Sequence, residues 1–343
     1  MSSLSLLPNW ILAIYVFVFG LCTGSFLNVA VLRGLSGEDM VFARSKCPKC
    51  GNVLKWYMNI PVLSFLFLRG KCGYCREKIS IQYPIVELIT GISFVLLFLT
   101  FGLTIKTFLL CIVFSIFILL ATTDFLETVI IDIHAYVLFV VGLIYSYFKF
   151  GGIDIIQGLI GAVFGFLFFE ILSRIGILFT KCRMFGEGDS LIALGLGAIF
   201  GFKNLLIVIA LSFAIQCVSA IPLLIKNCVK AKKYKLALSY FFVFLSMGLV
   251  LIVNQFSAFK ESNYYLIYVL FIVSSLIWSM INIIREIKAK KELLLEAINS
   301  DEEDIESKSE FCLMPFGPAL VFSGAICVFY IEQIKTFVVN FFS

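Results

Sequence analysis

Long apolar runs separated by short polar or basic segments dominate the pattern of this chain. Most runs are close to the ~20 residues that an α-helix needs to cross the hydrocarbon core of a bilayer. The pattern therefore predicts an all-α polytopic membrane protein with about ten transmembrane helices. The predicted spans are roughly 10–32, 85–102, 106–124, 133–149, 154–179, 188–201, 204–225, 237–254, 263–284 and 314–333.

The composition supports this interpretation. Of 343 residues, 61% are hydrophobic and only 14% are charged, which excludes an ordinary soluble domain. The first apolar run is not expected to be a cleaved signal peptide, because no basic segment precedes it. Basic residues cluster beside the apolar runs, as they do in membrane proteins, so we expect a lipid bilayer and no nucleic acid as a partner.

The charges between the runs predict the topology. Residues 33–83 contain nine Lys and Arg against three acids, and residues 226–235 contain five Lys and no acid. A third basic segment begins after residue 284. Because positively charged loops stay in the cytoplasm, all three segments are expected there, with both termini on the opposite side of the membrane.

Four of the eleven cysteines form a pattern in the first basic loop. Cys47, Cys50, Cys72 and Cys75 make two C-x2-C knuckles, which is the spacing of a structural zinc site. Gly51 and Gly73 each follow a cysteine and are expected to ease the tight turns. A cytoplasmic position makes disulfides improbable. The apolar segment 56–68 between the knuckles is expected to pack on the membrane surface or against the helix bundle.

Two carboxylates stand at the ends of apolar runs. Asp124 closes a run in TTDFLETVIID, and Asp189 opens another in FGEGDSL. An acid at a membrane boundary is costly and usually functional. Two neighbouring carboxyls can share one proton, so that one activates water while the other donates to a carbonyl oxygen. The residues alone leave Asp132 open as an alternative partner to Asp124.

At these residues the chain resembles the bacterial type IV prepilin peptidase family. The resemblance rests on seven segments: GSFLNVAVLRG (24–34), RSKCPKC (44–50), NIPVLSFLFLRGKCGYC (59–75), ISIQYPIVELITG (79–91), TTDFLETVIID (122–132), GEGDSLIALGLGAIFG (186–201) and PFGPAL (315–320). It covers most of residues 20–225 and the last predicted span.

This resemblance implies a bifunctional enzyme of the bacterial inner membrane, with its active site facing the cytoplasm. Such an enzyme cleaves the leader of type IV prepilins or type II secretion pseudopilins, then N-methylates the new N-terminus with S-adenosylmethionine. It maps the catalytic aspartates onto Asp124 and Asp189, the latter in a GxGD motif. No residue is assigned to S-adenosylmethionine, because no G-x-G-x-x-G motif follows a strand.

We divide the chain accordingly. The divisions are a first transmembrane helix at 1–32, a tetra-cysteine zinc loop at 33–83, catalytic membrane helices at 84–225, an insert with two further helices and a charged segment at 226–312, and a last transmembrane helix at 313–343. Candidate substrate-binding residues are Glu87, Glu127, Asp132, Gly186 and Gly188.

The chain departs from the family pattern at three places. Leu191 replaces a Lys two residues after the GxGD aspartate, and Ile131 stands where a Pro commonly precedes Asp132. The 226–312 segment is additional. Two other functions remain open from the residues: a transporter or channel with intramembrane acids, and a zinc-ribbon membrane scaffold without catalysis.

Overall fold

The computed structural model describes residues 8–36, 45–47, 49–127, 130–180, 185–230 and 316–342. Within these ranges the secondary structure consists of helices and two isolated β-bridges in the cysteine loop, joined by turns and irregular segments. The helices are α1 (Asn9–Ser36), α2 (Leu63–Phe67), α3 (Gln82–Phe101), α4 (Ile105–Glu127), α5 (Asp132–Tyr147), α6 (Ile155–Thr180), α7 (Glu187–Lys230) and α8 (Gly317–Phe342), with a 3₁₀ turn at Trp56–Met58.

Six of these helices are long and apolar enough to cross a membrane: α1, α3, α4, α6, α7 and α8. Helix α5 is also apolar but has only 16 residues. The predicted spans 188–201 and 204–225 both fall within α7, where Gly201, with φ 66° and ψ 170°, is non-helical and separates two helical parts. The predicted spans 237–254 and 263–284 lie outside the described residues.

The chain divides into two compact units. The first comprises residues 1–212 and 312–331, and it contains every candidate site residue. The second comprises residues 213–311 and 332–343. Of this second unit, only the ends of α7 and α8 fall in the described ranges.

Local signals explain where the helices of the first unit begin and end. Helix α3 stops at Gly102, whose φ of 68° a residue with a side chain would resist. Thr104 then caps α4, because its Oγ1 accepts the backbone N–H of Thr107 at 3.2 Å. This short capped turn reverses the chain, so α4 packs back against α3.

Glycines bring two pairs of helices into close contact. Helix α1 approaches α3 at Gly24, where an added Cβ would lie 2.7 Å from the Cα of Glu87. Helix α6 approaches α7 where Gly161 and Gly197 face each other across backbone atoms. Small residues four apart permit such close packing in membranes, where van der Waals contact replaces the hydrophobic effect between helices.

The contact between α6 and α7 yields a stability prediction. Gly197→Ala would push a methyl group into the backbone carbonyl of Gly161, which cannot move without separating the helices. We expect a loss of about 1–3 kcal/mol, seen as a lower unfolding temperature of the purified protein in detergent. The matched control is Gly324→Ala in α8, where the added methyl meets the flexible end of the Leu196 side chain. Equal unfolding temperatures for Gly197→Ala and the wild type would contradict the close packing.

Candidate active site and cysteine cluster

Asp124 continues the buried stripe of α4. Leu120 and Phe117 are buried one and two turns earlier on the same face, and Asp124 follows at the next position of this stripe. Its side chain is only 4% exposed. The position of Asp124 near the end of the helix therefore places a carboxyl group inside the bundle rather than in water.

Asp189 is fixed by the start of α7. It is the third residue of this helix, and its Oδ2 accepts the backbone N–H of Gly186 at 3.1 Å. The Asp189 backbone N–H donates in return to the Gly186 carbonyl at 3.2 Å. The Asp189 side-chain bond is the half of a capping box that the N3 residue supplies, and together the two bonds hold the carboxyl over the first turn of α7. Asp189 is 5% exposed.

The two aspartates lie in one site. Ile130 packs between the segments that carry them. A Cβ at Gly188 would collide with the Ile130 side chain, and a Cβ at Gly317 would lie 2.6 Å from Asp124 Oδ2 and 3.3 Å from Ile130 Cδ1. Two buried carboxyls that are close enough to interact titrate as a pair and share a proton. Such a pair can act as base and acid in the same reaction.

The remaining carboxylate candidates occupy other environments. Glu127 and Asp132 are exposed, on either side of the segment that contains Ile130. Glu87 is buried, and its Oε2 accepts the backbone N–H of Val62 at 2.7 Å, so it joins α3 to the cysteine loop. Among the candidate glycines, Gly186 caps α7 and Gly188 provides room for Ile130.

Sequence reasoning assigned no role to Ile130 or Gly317. Both contact the site, and Gly317 contacts Asp124 itself. Ile130 lies in the TTDFLETVIID segment and Gly317 in the PFGPAL segment, and both segments contributed to the resemblance without a function attached to these residues. Contacts between residues almost two hundred positions apart leave no trace in local hydrophobic periodicity.

The four cysteines of the loop form one cluster. Their Sγ atoms all lie within 4.8 Å of one another, and those of Cys47 and Cys75 are 3.9 Å apart. Four thiolates around Zn²⁺ with Zn–S bonds of ~2.3 Å would have an S···S separation of about 3.8 Å. The cluster therefore fits a tetrahedral zinc ion without rearrangement of the backbone.

The two knuckles repeat one backbone design. In the first knuckle, the Cys47 N–H donates to the Asn52 carbonyl and the Gly51 N–H donates to the Cys47 carbonyl. In the second knuckle, the Cys72 N–H donates to the Glu77 carbonyl and the Arg76 N–H donates to the Cys72 carbonyl. A β-bridge flanks each knuckle. The expected role of Gly51 is confirmed by its φ of 71°, whereas the matching position in the second knuckle is Arg76, with a φ of 60°.

The expected role of Gly73 was wrong, because the left-handed residue follows the second cysteine of a knuckle rather than the first. Gly73 is needed for space instead, since a Cβ there would lie 2.7 Å from Met58 Cε. In the same knuckle, backbone N–H groups of Cys75 and Tyr74 lower the pKa of the Cys72 thiol to about 7. Metal binding requires the thiolate form, which this lowering favours.

Comparison with known proteins identifies the same family as the sequence resemblance. Residues 18–101 match the family model of the bacterial peptidase A24 N-terminal domain, and residues 111–221 match that of the type IV leader peptidase family. A prepilin leader peptidase/N-methyltransferase of Neisseria gonorrhoeae is 32% identical over 245 residues, which cover 64% of this chain and 85% of that protein. The chain belongs to the type IV leader peptidase family.

Other relatives in this peptidase family carry the same name. One from Myxococcus xanthus is 37% identical over 205 residues, or 59% of this chain and 61% of that protein. One from Bacillus subtilis is 33% identical over 190 residues, or 55% of this chain and 74% of that protein. No solved structure matches the chain.

Proposed function

We propose that this peptidase-family member is a membrane aspartyl endopeptidase. It cleaves the leader peptide of type IV prepilins or type II secretion pseudopilins and N-methylates the new N-terminus. The observation that carries the peptidase proposal is that Asp124 and Asp189, two buried carboxyls from different helices, both lie beside Ile130 and the start of α8 or α7. The methylation proposal rests on the names of the relatives.

The pair supplies the two groups that peptide hydrolysis requires. In the proposed mechanism, the ionised carboxylate removes a proton from water as the water oxygen attacks the scissile carbonyl carbon. The protonated partner donates to the carbonyl oxygen, forming a tetrahedral intermediate. Transfer of a proton to the leaving amine then breaks the C–N bond and restores the shared-proton pair.

Either aspartate can act as the base, because both lie at the positive end of a helix, which favours an ionised carboxylate. The Asp189 carboxylate accepts the Gly186 N–H at the start of α7, and the Asp124 carboxyl lies against Gly317 at the start of α8. The family Lys is absent at position 191, where the structure has a buried leucine, so these backbone groups are the positive partners of Asp189.

Zn²⁺ is the proposed structural cofactor of the loop. Cys47, Cys50, Cys72 and Cys75 would hold it, and four thiolates leave no coordination position for a reacting water. Bound zinc would supply folding free energy to a loop too small to bury a core of its own. The described residues contain no sheet of the kind that binds dinucleotides, so we assign no residue and no step to S-adenosylmethionine.

We propose that the enzyme lies in the inner membrane with the aspartate pair near the cytoplasmic face. A prepilin combines a basic leader with a long hydrophobic helix, so its scissile bond would sit at that boundary. The acids Glu127 and Asp132 are exposed beside the site and are the candidates to meet a basic leader. The Coulomb attraction would be weakened by solvent screening.

The proposal is tested by co-expression with a prepilin in cells that lack their own peptidase, followed by mass analysis of the pilin N-terminus. We expect a product without its leader and with one added methyl group. An intact leader would contradict the peptidase and favour a transporter or a scaffold. A cleaved but unmethylated product would contradict only the second activity.

A further inference from the structure

The start of α8 lies against the aspartate pair. Asp124 Oδ2 is buried and accepts no hydrogen bond of normal geometry from the described residues, although the backbone N–H of Gly317 approaches the same carboxyl. Gly317 is the first residue of α8, a helix of 26 residues. Asp124 therefore faces the positive end of a long helix.

Only glycine fits at this point of α8. The ideal Cβ position at Gly317 lies 2.6 Å from Asp124 Oδ2 and 3.3 Å from its Cγ, both well inside van der Waals contact. A methyl group there would have to displace either the carboxyl or the helix. Pro318 follows and fixes the backbone of the first turn without adding an N–H group.

Three phenylalanines hold the start of α8 beside the start of α7. Phe185 precedes the Gly186 cap of α7, and Phe316 precedes Gly317; their ring centroids are 5.1 Å apart at an interplanar angle of 81°. Phe169 of α6 packs on both rings, with centroid distances of 5.4 and 5.7 Å. All three are buried. Edge-to-face packing of this kind fixes the two helix starts relative to each other.

We propose that Gly317 is a positioning residue of the peptidase, through which the start of α8 sets the orientation of the Asp124 carboxyl. The inference rests on the proposed aspartyl peptidase function. Gly317 allows backbone contact with Asp124, and the Phe169–Phe185–Phe316 cluster keeps this contact in register with Asp189. The carboxyl is turned so that Oδ2 lies against the start of α8. The last helix is then part of the active site, although the rest of the site lies before residue 190.

The test is steady-state cleavage of a purified prepilin by the full-length protein in detergent or liposomes. Gly317→Ala should lower kcat about a hundredfold, which a displacement of ~1 Å in a catalytic group can cause, and leave KM nearly unchanged. Gly324→Ala is the matched control on the same helix, since its methyl meets Leu196 rather than a carboxyl. Its kcat should stay close to that of the wild type.

A Gly317→Ala enzyme with wild-type kcat, or with a raised KM and normal kcat, would overturn the inference. If Gly317→Ala fails to fold, the contact between α8 and Asp124 is tested instead by cross-linking pairs of introduced cysteines in membranes. This measurement does not depend on enzyme activity. Asp124→Cys with Gly317→Cys should form a disulfide under mild oxidation. Asp124→Cys with Gly324→Cys should not, because Gly324 is about 10 Å further along α8 and a disulfide spans Cα atoms less than about 7 Å apart.

Absence of the first cross-link would overturn the inference regardless of kinetics. Failure of the wild type to cleave any prepilin would instead overturn the proposed function. The cross-links would still report whether α8 begins at Asp124, so the two failures are distinguishable.

Discussion

Replacing either Asp124 or Asp189 by asparagine should abolish leader cleavage while the protein remains inserted and folded. Asparagine keeps the size of the side chain but can neither remove a proton from water nor supply one to the carbonyl oxygen. Loss of a positioned acid or base typically costs about 10²–10⁴-fold in rate, and neither member of a shared-proton pair can perform both roles. Each variant should therefore lose kcat, with little change in KM, when cleavage of a prepilin is followed by mass shift.

Two acids of the same chain provide matched controls. Asp154 is exposed in the turn between α5 and α6, where it pairs with Lys149, and Asp154→Asn should cleave like the wild type. Asp132→Asn tests the alternative partner that the residues alone left open. Because Asp132 is exposed, we expect its substitution to change KM at most. Normal processing by Asp124→Asn or Asp189→Asn would remove that residue from the mechanism.

The hydrophobic pattern predicts most of the described helices because each element must match the thickness of a bilayer. Helices α1, α3, α4, α6 and α8 lie close to their predicted ranges. The pattern also predicts a boundary between two spans near residue 201, and Gly201, with φ 66° and ψ 170°, is the non-helical residue that separates the two parts of α7. Glycine adopts such a positive φ readily, so this boundary could be predicted from the sequence.

The missing Pro before Asp132 shows that local conformation can survive a change of residue type. Ile131 has φ −80° and ψ 112°, within the extended region that a Pro at this position would also adopt. Helix α5 still begins at Asp132. The departure in sequence therefore leaves the backbone path beside the aspartate pair intact.

The contacts that complete the site were beyond sequence reasoning. Asp124 and Asp189 were candidates because charged residues are rare and costly in apolar runs. Gly317 and Ile130 could not be selected in this way, because glycine and isoleucine are common in apolar segments. Their importance lies in their contacts with the site. Their role follows from the packing of segments that are distant in the chain.

Removal of one cysteine of the quartet should release the metal and unfold the loop. We expect about one zinc per chain in the wild type and almost none in Cys72→Ser, because a structural site needs all four ligands. Cys72 is buried and held by backbone bonds within its knuckle, so its loss should open both knuckles. Structural zinc binding contributes on the order of 10–16 kcal/mol in small zinc domains, far more than a loop of this size gains from packing.

The loss of structure in Cys72→Ser should be confined to the cysteine loop. Limited proteolysis should cut Cys72→Ser within residues 45–81, while the membrane helices stay protected as in the wild type. Cys22→Ser is the matched control, since Cys22 is exposed on α1 and outside the cluster. The loop also donates the Val62 N–H to Glu87 of α3. Unfolding should therefore leave the Glu87 carboxyl without that partner and weaken cleavage without abolishing it. Full zinc content in Cys72→Ser, or a disulfide within the quartet in reduced wild-type protein, would contradict a four-thiolate site.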